Sequence, residues 1–310
     1  MLLSRVAENL YWGARYLERA EDTARLVRSF TELILDLPRG VASSWEPLLA
    51  VAGSREQFDA GHLRAGENEI VRFLVADLAN RGSVVASVAQ ARENLRTTRE
   101  VLPREAWQAV NDLFLFTSRD TESGVDRRSR ARFLGRVMSE CQRLDGVVAG
   151  MMRRDEAYEL WRLGQVMERA DMTTRVLGVR AASLLAATGD RHEFDEVQWM
   201  GVLRSLTALQ MYQRSHRGPI DGASVVSFLL YDATFPRSVA GCVQQMRASL
   251  QRLPHADATL PAVDELDGLL SGLPAQATDG RALDLAMDQV QLALDALHGC
   301  VHDAFMRGVL

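Results

Sequence analysis

The chain contains no lysine: all 36 of its basic residues are arginine. That absence removes a Walker-type phosphate loop, a Schiff-base enzyme and a lysine general base from the functions open to it. A GC-rich genome would produce the same arginine usage. Cysteine is scarce too. Cys141, Cys242 and Cys300 stand far apart, in odd number and without CxxC spacing, as buried reduced thiols of a cytoplasmic protein would. No run of about 20 apolar residues occurs, so no segment reads as a bilayer span. The start, MLLSRVAENLYWGARYLERAED, carries acids and arginines where a signal peptide needs an unbroken apolar stretch and a small-residue cleavage site, and reads as mature cytoplasmic protein. A net charge of -5 gives no general attraction for nucleic acid or anionic membrane.

What is present is 47% hydrophobic and 25% charged, the proportions of a soluble globular chain. From Leu3 the apolar or small positions recur as Leu3, Val6, Leu10, Gly13, Leu17, Ala20, Ala24 and Val27, the three-four spacing of one helix face. This helix is expected to stop at LPRG, residues 37 to 40. Further helices are predicted over roughly 68–79, 83–102, 104–118, 129–152, 155–187, 196–213, 222–232, 237–252, 261–271 and 281–306, bounded by Gly, Pro and polar clusters. No segment alternates as a strand between hairpin turns. The fold class is all-α, a multi-helix bundle.

The bundle reads as two pseudo-symmetric duplicated halves. YLERAEDTARL from Tyr16 returns as VMERADMTTRV from Val166, at an offset of 150. FLVADLANRGSVVASVAQAR from Phe73 returns as FLLYDATFPRSVAGCVQQMR from Phe228, at an offset of 155. Two echoes in one order with so small a drift are what a duplication with one short insertion produces. The expected organisation is a single domain over 1–310 with an internal repeat of 1–152 and 153–310.

At ~100° per residue, Glu18, Glu21 and Arg25 fall on the border of the apolar face of their helix, as do Glu168, Asp171 and Arg175 on theirs. Arg19 and Arg169 fall near roughly 200°, behind it. These eight residues, Glu18, Arg19, Glu21, Arg25, Glu168, Arg169, Asp171 and Arg175, are the candidate polar or ligand-binding set. A carboxylate three or four positions from an arginine is also an ordinary intrahelical pair. Its repetition at matched angles raises the alternative that a twofold axis gathers the charges, if only to fix packing.

Further candidates are Asp232, Arg237 and Ser238 around a helix start with Pro236 in its first turn, which would line the central cleft or only cap the helix, and His216 and Arg217 in the polar loop RSHRGPIDG, which would approach an anion or only reverse the chain. His298 and His302, spaced i and i+4 with Cys300 and Asp303 nearby, would form half a zinc site. They lack a glutamate general base between them and an equivalent pair in the first half, so packing or surface histidines are expected. No spacing defends a catalytic triad or a glycine-rich phosphate motif, and no residue is assigned catalysis.

SRVAENLYWGARYLERAEDTARL, RDEAYELWRLGQVMERADMTTRVL, ARENLR and FLLYDATFPRSV together resemble the alpha-E family, a bacterial all-helical domain named for its Glu-Arg motif. The likeness covers nearly the whole chain, with LANRGS at 78–83 where an NPSS-like turn is expected. The resemblance implies a place beside a circularly permuted ATP-grasp ligase and near a transglutaminase-like protease. It implies a part in ATP-dependent amide-bond formation or peptide modification, with ATP and magnesium held only by the ligase partner. Three functions then compete. One is a partner or substrate-binding subunit that grips a carboxylate-bearing peptide through arginine forks. Another is a carboxylate-bridged metal enzyme, disfavoured because Glu21 and Asp171 stand where di-iron helices carry histidine. The last is a helical scaffold without a ligand.

Overall fold

Helical periodicity runs unbroken from Ser4, and the residue before Pro38 is pushed into extended backbone, so the first helix, α1 (Ser4–Asp36), ends at Leu37 with φ -90° and ψ 143°. The computed structural model describes residues 2–38, 44–61, 64–181, 184, 194–273 and 279–307. The helices that follow are α2 (Pro47–Val51), α3 (Arg55–Gly61), α4 (Glu67–Val75), α5 (Val84–Arg96), α6 (Arg104–Arg119), α7 (Thr121–Val125), α8 (Arg130–Met151) and α9 (Glu156–Arg175). After a π-helical turn at Val176–Ala181 come α10 (Asp195–Ser205), α11 (Leu209–Ser215), α12 (Gly222–Tyr231), α13 (Val239–Leu250), α14 (Ala256–Gly272) and α15 (Gly280–Phe305). Among the described residues there is no strand, so the all-α reading holds. None of the described helices is long and apolar enough to cross a membrane.

The periodicity misplaced several ends. The segment predicted over 155–187 is α9 followed by the π turn, with 182–183 and 185–187 outside the described residues. The segment predicted over 196–213 breaks into α10 and α11 at Thr207, which takes a left-handed φ of 55°. The helix expected to begin at Pro261 starts at Ala256 and keeps that proline inside. Local capping explains the ends that were read well: Asp155 accepts from the amides of Ala157 and Tyr158 to start α9, and Ser83 and Ser238 cap α5 and α13.

Two long helices form the axis of the molecule. α1 and α9 pack along each other, and each also has its own outer helices. α5 and α8 cover α1, with α6 between them; α13 and α15 cover α9, with α14 between them. Both central helices are therefore buried on most sides. α1 buries Ala7, Leu10, Leu17, Ala20, Ala24, Val27, Phe30 and Leu33, and with them Glu18, Glu21, Asp22 and Arg25. The close approach depends on small side chains. A Cβ added at Gly164 would stand 2.2 Å from the Tyr11 carbonyl oxygen, so only glycine lets the two backbones meet there.

Candidate functional site

Burying a charge is costly unless it is paired and hydrogen-bonded, and the charges on α1 and α9 satisfy this by reaching across to the opposite helix. Glu18 receives both arms of the Arg169 fork, Nε to Oε1 and Nη2 to Oε2, at 2.9 Å each. In the reverse direction Glu168 receives Arg19, with Nη2 on Oε2 at 3.0 Å, and also Arg15, with Nε on Oε2 at 2.8 Å. Glu18 and Glu168 are each only 2% exposed. A guanidinium can engage both oxygens of one carboxylate in a plane, which an ammonium cannot, and these lysine-free contacts use that geometry.

Arg19 and Arg169 do not stand idle behind the packing faces of their helices. Both were placed behind the packing face, yet they are the partners that join the two central helices. A wheel angle near roughly 200° puts them away from the apolar row, and on α1 and α9 that side too meets another helix. The eight candidates do not form one cluster but two networks.

The first network lies on α1 and is enclosed. Glu18, Glu21 and Asp22 face Arg25, Arg169 and Arg237, three acids against three arginines. Arg237 Nη1 lies 2.7 Å from Glu18 Oε1 and 3.0 Å from Asp22 Oδ1, Arg25 bonds Asp22 at 2.6 Å and also reaches Glu21, and Gln142 donates to Glu21 at 3.0 Å. Burial pushes the Glu18 carboxyl up, but Arg169 and Arg237 outweigh it and hold it well below the usual carboxylate range. Asp22 behaves oppositely. Burial dominates, Glu18 and Glu21 add to it, and Arg237 and Arg25 offset it only in part, so its carboxyl rises to about 6. Its Oδ2 is buried without a partner among the described residues.

A pH signature follows from that inversion. Because Asp22 is raised above its ordinary value of 3.8 to about 6, the native state binds more protons than the unfolded chain between those values. Stability contributed by protonated Asp22 is thus present below pH ~4 and lost as pH rises through ~6. Relative to wild type, Asp22→Asn is expected to gain melting temperature as pH is raised from 4.5 to 7.5. A difference between the two melting curves that stays constant across that range would contradict the inversion.

The second network, on α9, is open on one side. Burial would raise the Glu168 carboxyl, but Arg19 and Arg15 together bring it down to about 2. Asp171 pairs with Arg175 at 3.0 Å, and both are partly exposed. From Arg15 a polar chain continues outward: its Nη1 lies 3.4 Å from the Tyr11 hydroxyl, which lies 3.0 Å from His298 Nδ1. The His298 ring stacks on Tyr11 at 5.5 Å, and burial, then Arg15, lower its basicity. A cavity of about 480 Å³ opens here between α1, α9 and α15, lined by Arg15, Asp171, Arg175, Asp288, Asp295 and His298 among others. A second cavity of about 250 Å³ lies across the Asp171–Arg175 pair, with Arg19, Glu168, Gly53 and residues 80–82 in its wall.

The remaining candidates separate clearly. Arg237 reaches the enclosed network, while Ser238 caps α13 and Asp232 caps the turn before it through Thr234 and Phe235. His216 stacks on Tyr212 at 4.5 Å and bonds Ser215, and Arg217 is exposed, so neither joins the two networks. His298 and His302 have ring centroids 6.5 Å apart, with His298 turned to Tyr11 and His302 to Asp303. Among the described residues no group of three or more His, Cys, Asp or Glu is placed to hold a metal ion. Burial raises the thiols of Cys141 and Cys242, the latter to about 12. Arg15, Tyr11 and Gln142 escaped sequence reading, although Tyr11, Arg15 and Arg19 form an i, i+4 polar stripe that would have drawn attention to itself.

Two Glu-Arg dipeptides occur in the chain, 18–19 and 168–169, and both take part in the reciprocal contacts. The model of the Alpha-E family, described as a predicted alpha-helical domain with a conserved ER motif, matches residues 2–306. Uncharacterised proteins of Mycobacterium bovis and Mycobacterium tuberculosis are 23% identical to the chain over 327 residues. That match covers 96% of this chain and 36% of theirs, so the chain spans little more than a third of those relatives. No solved structure matches it. With a helical fold throughout and its family match running nearly end to end, the chain belongs to the Alpha-E family.

Proposed function

We propose that the chain is a binding subunit of an ATP-grasp-linked peptide or amide-bond-forming system, built from two duplicated halves. In this reading the open cleft between α1, α9 and α15 receives a carboxylate-bearing peptide, or a segment of the ligase that presents one. The observation that carries it is the contrast between the two networks: the one on α1 is enclosed and charge-balanced, while the one on α9 borders two cavities. Arginine forks beside a cavity suit recognition of a carboxylate. The ligase link itself rests on the family resemblance, and a transglutaminase-like protease is the second partner that resemblance implies.

The test uses Arg175. Its pair with Asp171 is partly exposed, so breaking it should cost about 1 kcal/mol or less and shift the melting temperature by a few degrees at most. Arg175→Gln is expected to keep the helical circular dichroism while reducing co-purification with the cognate ATP-grasp protein at least tenfold. Undiminished co-purification would leave the scaffold reading in possession.

A further inference from the structure

The repeat places Arg237 and Gly82 at matching positions, since ANRGS ends at Ser83 as TFPRS ends at Ser238. Their surroundings match as well. Ser83 and Ser238 both cap the helix that follows, and both hydroxyls donate to a carbonyl six residues back, Asp77 or Asp232. At 237 the side chain runs into the acids of α1. At 82 there is no side chain, and a cavity of about 250 Å³ stands beside it, bounded by Arg19, Asn80, Arg81, Gly82, Glu168 and Arg175.

Nothing in the backbone demands glycine there. Gly82 is not among the positive-φ residues, and a Cβ built on it comes no closer than 3.4 Å to Asn80 Oδ1. Its smallness keeps the cavity open. Gly53 on the opposite wall differs: it has φ +62°, and its missing Cβ would lie 2.5 Å from Arg175 Nη1, so this glycine seats the guanidinium over the backbone.

Charge decides what the cavity would take. An inserted guanidinium, by analogy with Arg237, would be expected only if the acids were uncompensated. They are not. Arg15 stands where the second half has Gln165 and already serves as the second partner of Glu168, and Met172 stands where the first half has Asp22. The charges lining this cavity are therefore Arg19, Arg81 and Arg175 against Glu168 and Asp171, a surplus of one positive charge, with Arg15 outside the lining as a further partner of Glu168, whereas the enclosed network has three of each. Donors also remain. Among the described residues Arg175 uses only Nε, toward Asp171, and the exposed Arg81 guanidinium has no carboxylate partner.

Resting on the reading of the chain as a carboxylate-binding subunit, we propose that the cavity beside Gly82 is an oxyanion subsite, in which Arg175, Arg81 and Arg19 hold a carboxylate or phosphate group. About 250 Å³ is the share of liquid of roughly eight waters, room for the anionic head and a few carbons behind it. The Glu168 carboxylate does not oppose the anion, because two arginines neutralise it from the side.

The test needs only the isolated chain, so it stands apart from co-purification with a ligase. Glutarate and inorganic phosphate are titrated calorimetrically at fixed ionic strength in chloride. Wild type is expected to bind at least one. Gly82→Arg, which fills the cavity as Arg237 fills its own, is expected to weaken that binding at least tenfold, while Gly82→Ala keeps it within about threefold. Arg81→Gln, on an exposed side chain that leaves folding intact, is expected to weaken it severalfold even if Gly82→Arg does not fold. Preference for glutarate identifies a carboxylate source, and preference for phosphate a phosphate source. A wild-type chain that binds neither probe, or binding that survives both Gly82→Arg and Arg81→Gln unchanged, overturns the proposal.

Discussion

Arg169→Gln is expected to destabilise the protein by about 3 to 5 kcal/mol, the usual loss when one member of a buried ion pair is removed. Glu18 is 2% exposed and loses both arms of the fork, retaining Arg237 on one oxygen. Glutamine is too short to reach the same two oxygens and carries no charge to offset the burial. Denaturant unfolding should show the loss as a lower midpoint with an unchanged slope. Adding Glu18→Gln to the same chain should restore part of it, because the stranded charge is then gone. A loss below about 1 kcal/mol in the single variant would mean that water reaches Glu18 and that the network is not enclosed.

Gly164→Val is expected to be at least as damaging, for a reason unrelated to charge. Its Cβ would fall 2.2 Å from the Tyr11 carbonyl oxygen, 2.9 Å from its carbon and 3.1 Å from its Cα. All three atoms are backbone, so no side chain can rotate away and the helices must part. Ordinary overpacking costs about 1 to 3 kcal/mol, and separating two central helices should exceed that range. Gly146→Ala provides the contrast. It lies inside α8 with nothing within 4 Å of the added atom, and should be neutral or stabilise by up to about 1 kcal/mol through helix propensity. If both variants melted alike, the α1–α9 contact would not be the close approach described.

The fold class was legible because periodicity is strong wherever a helix has one apolar face, as in α4, α6 and α15. The two central helices were legible as helices but not as to facing. Their polar residues point at neighbouring helices, so a single helical wheel puts Arg19 and Arg169 behind the packing face although each meets the opposite central helix. Repetition singles out Glu18 and Glu168; only packing pairs each with the arginine of the other helix. Arg237 was within reach of sequence reading because it lies in an echoed turn, yet its depth depends on how α13 sits against α9. Asp288 and Asp295 carry no local signal at all, and they enter the cleft through the docking of α15.

Reciprocal ion pairs have a consequence for the order in which the chain can be completed. Glu18 waits for Arg169, 151 residues later, and for Arg237 beyond that, while Arg15 and Arg19 wait for Glu168. During synthesis the first long helix therefore emerges with acids that its own segment can answer only through Arg25. It cannot bury them until the second long helix has left the ribosome. Closing contacts at such sequence separation is slow for a helical protein, and a ribosome stalled midway would hold a chain whose central helix must remain wet. A chain cut before residue 169 lacks Arg169 and Arg237, and with them both arginines that hold the Glu18 carboxylate.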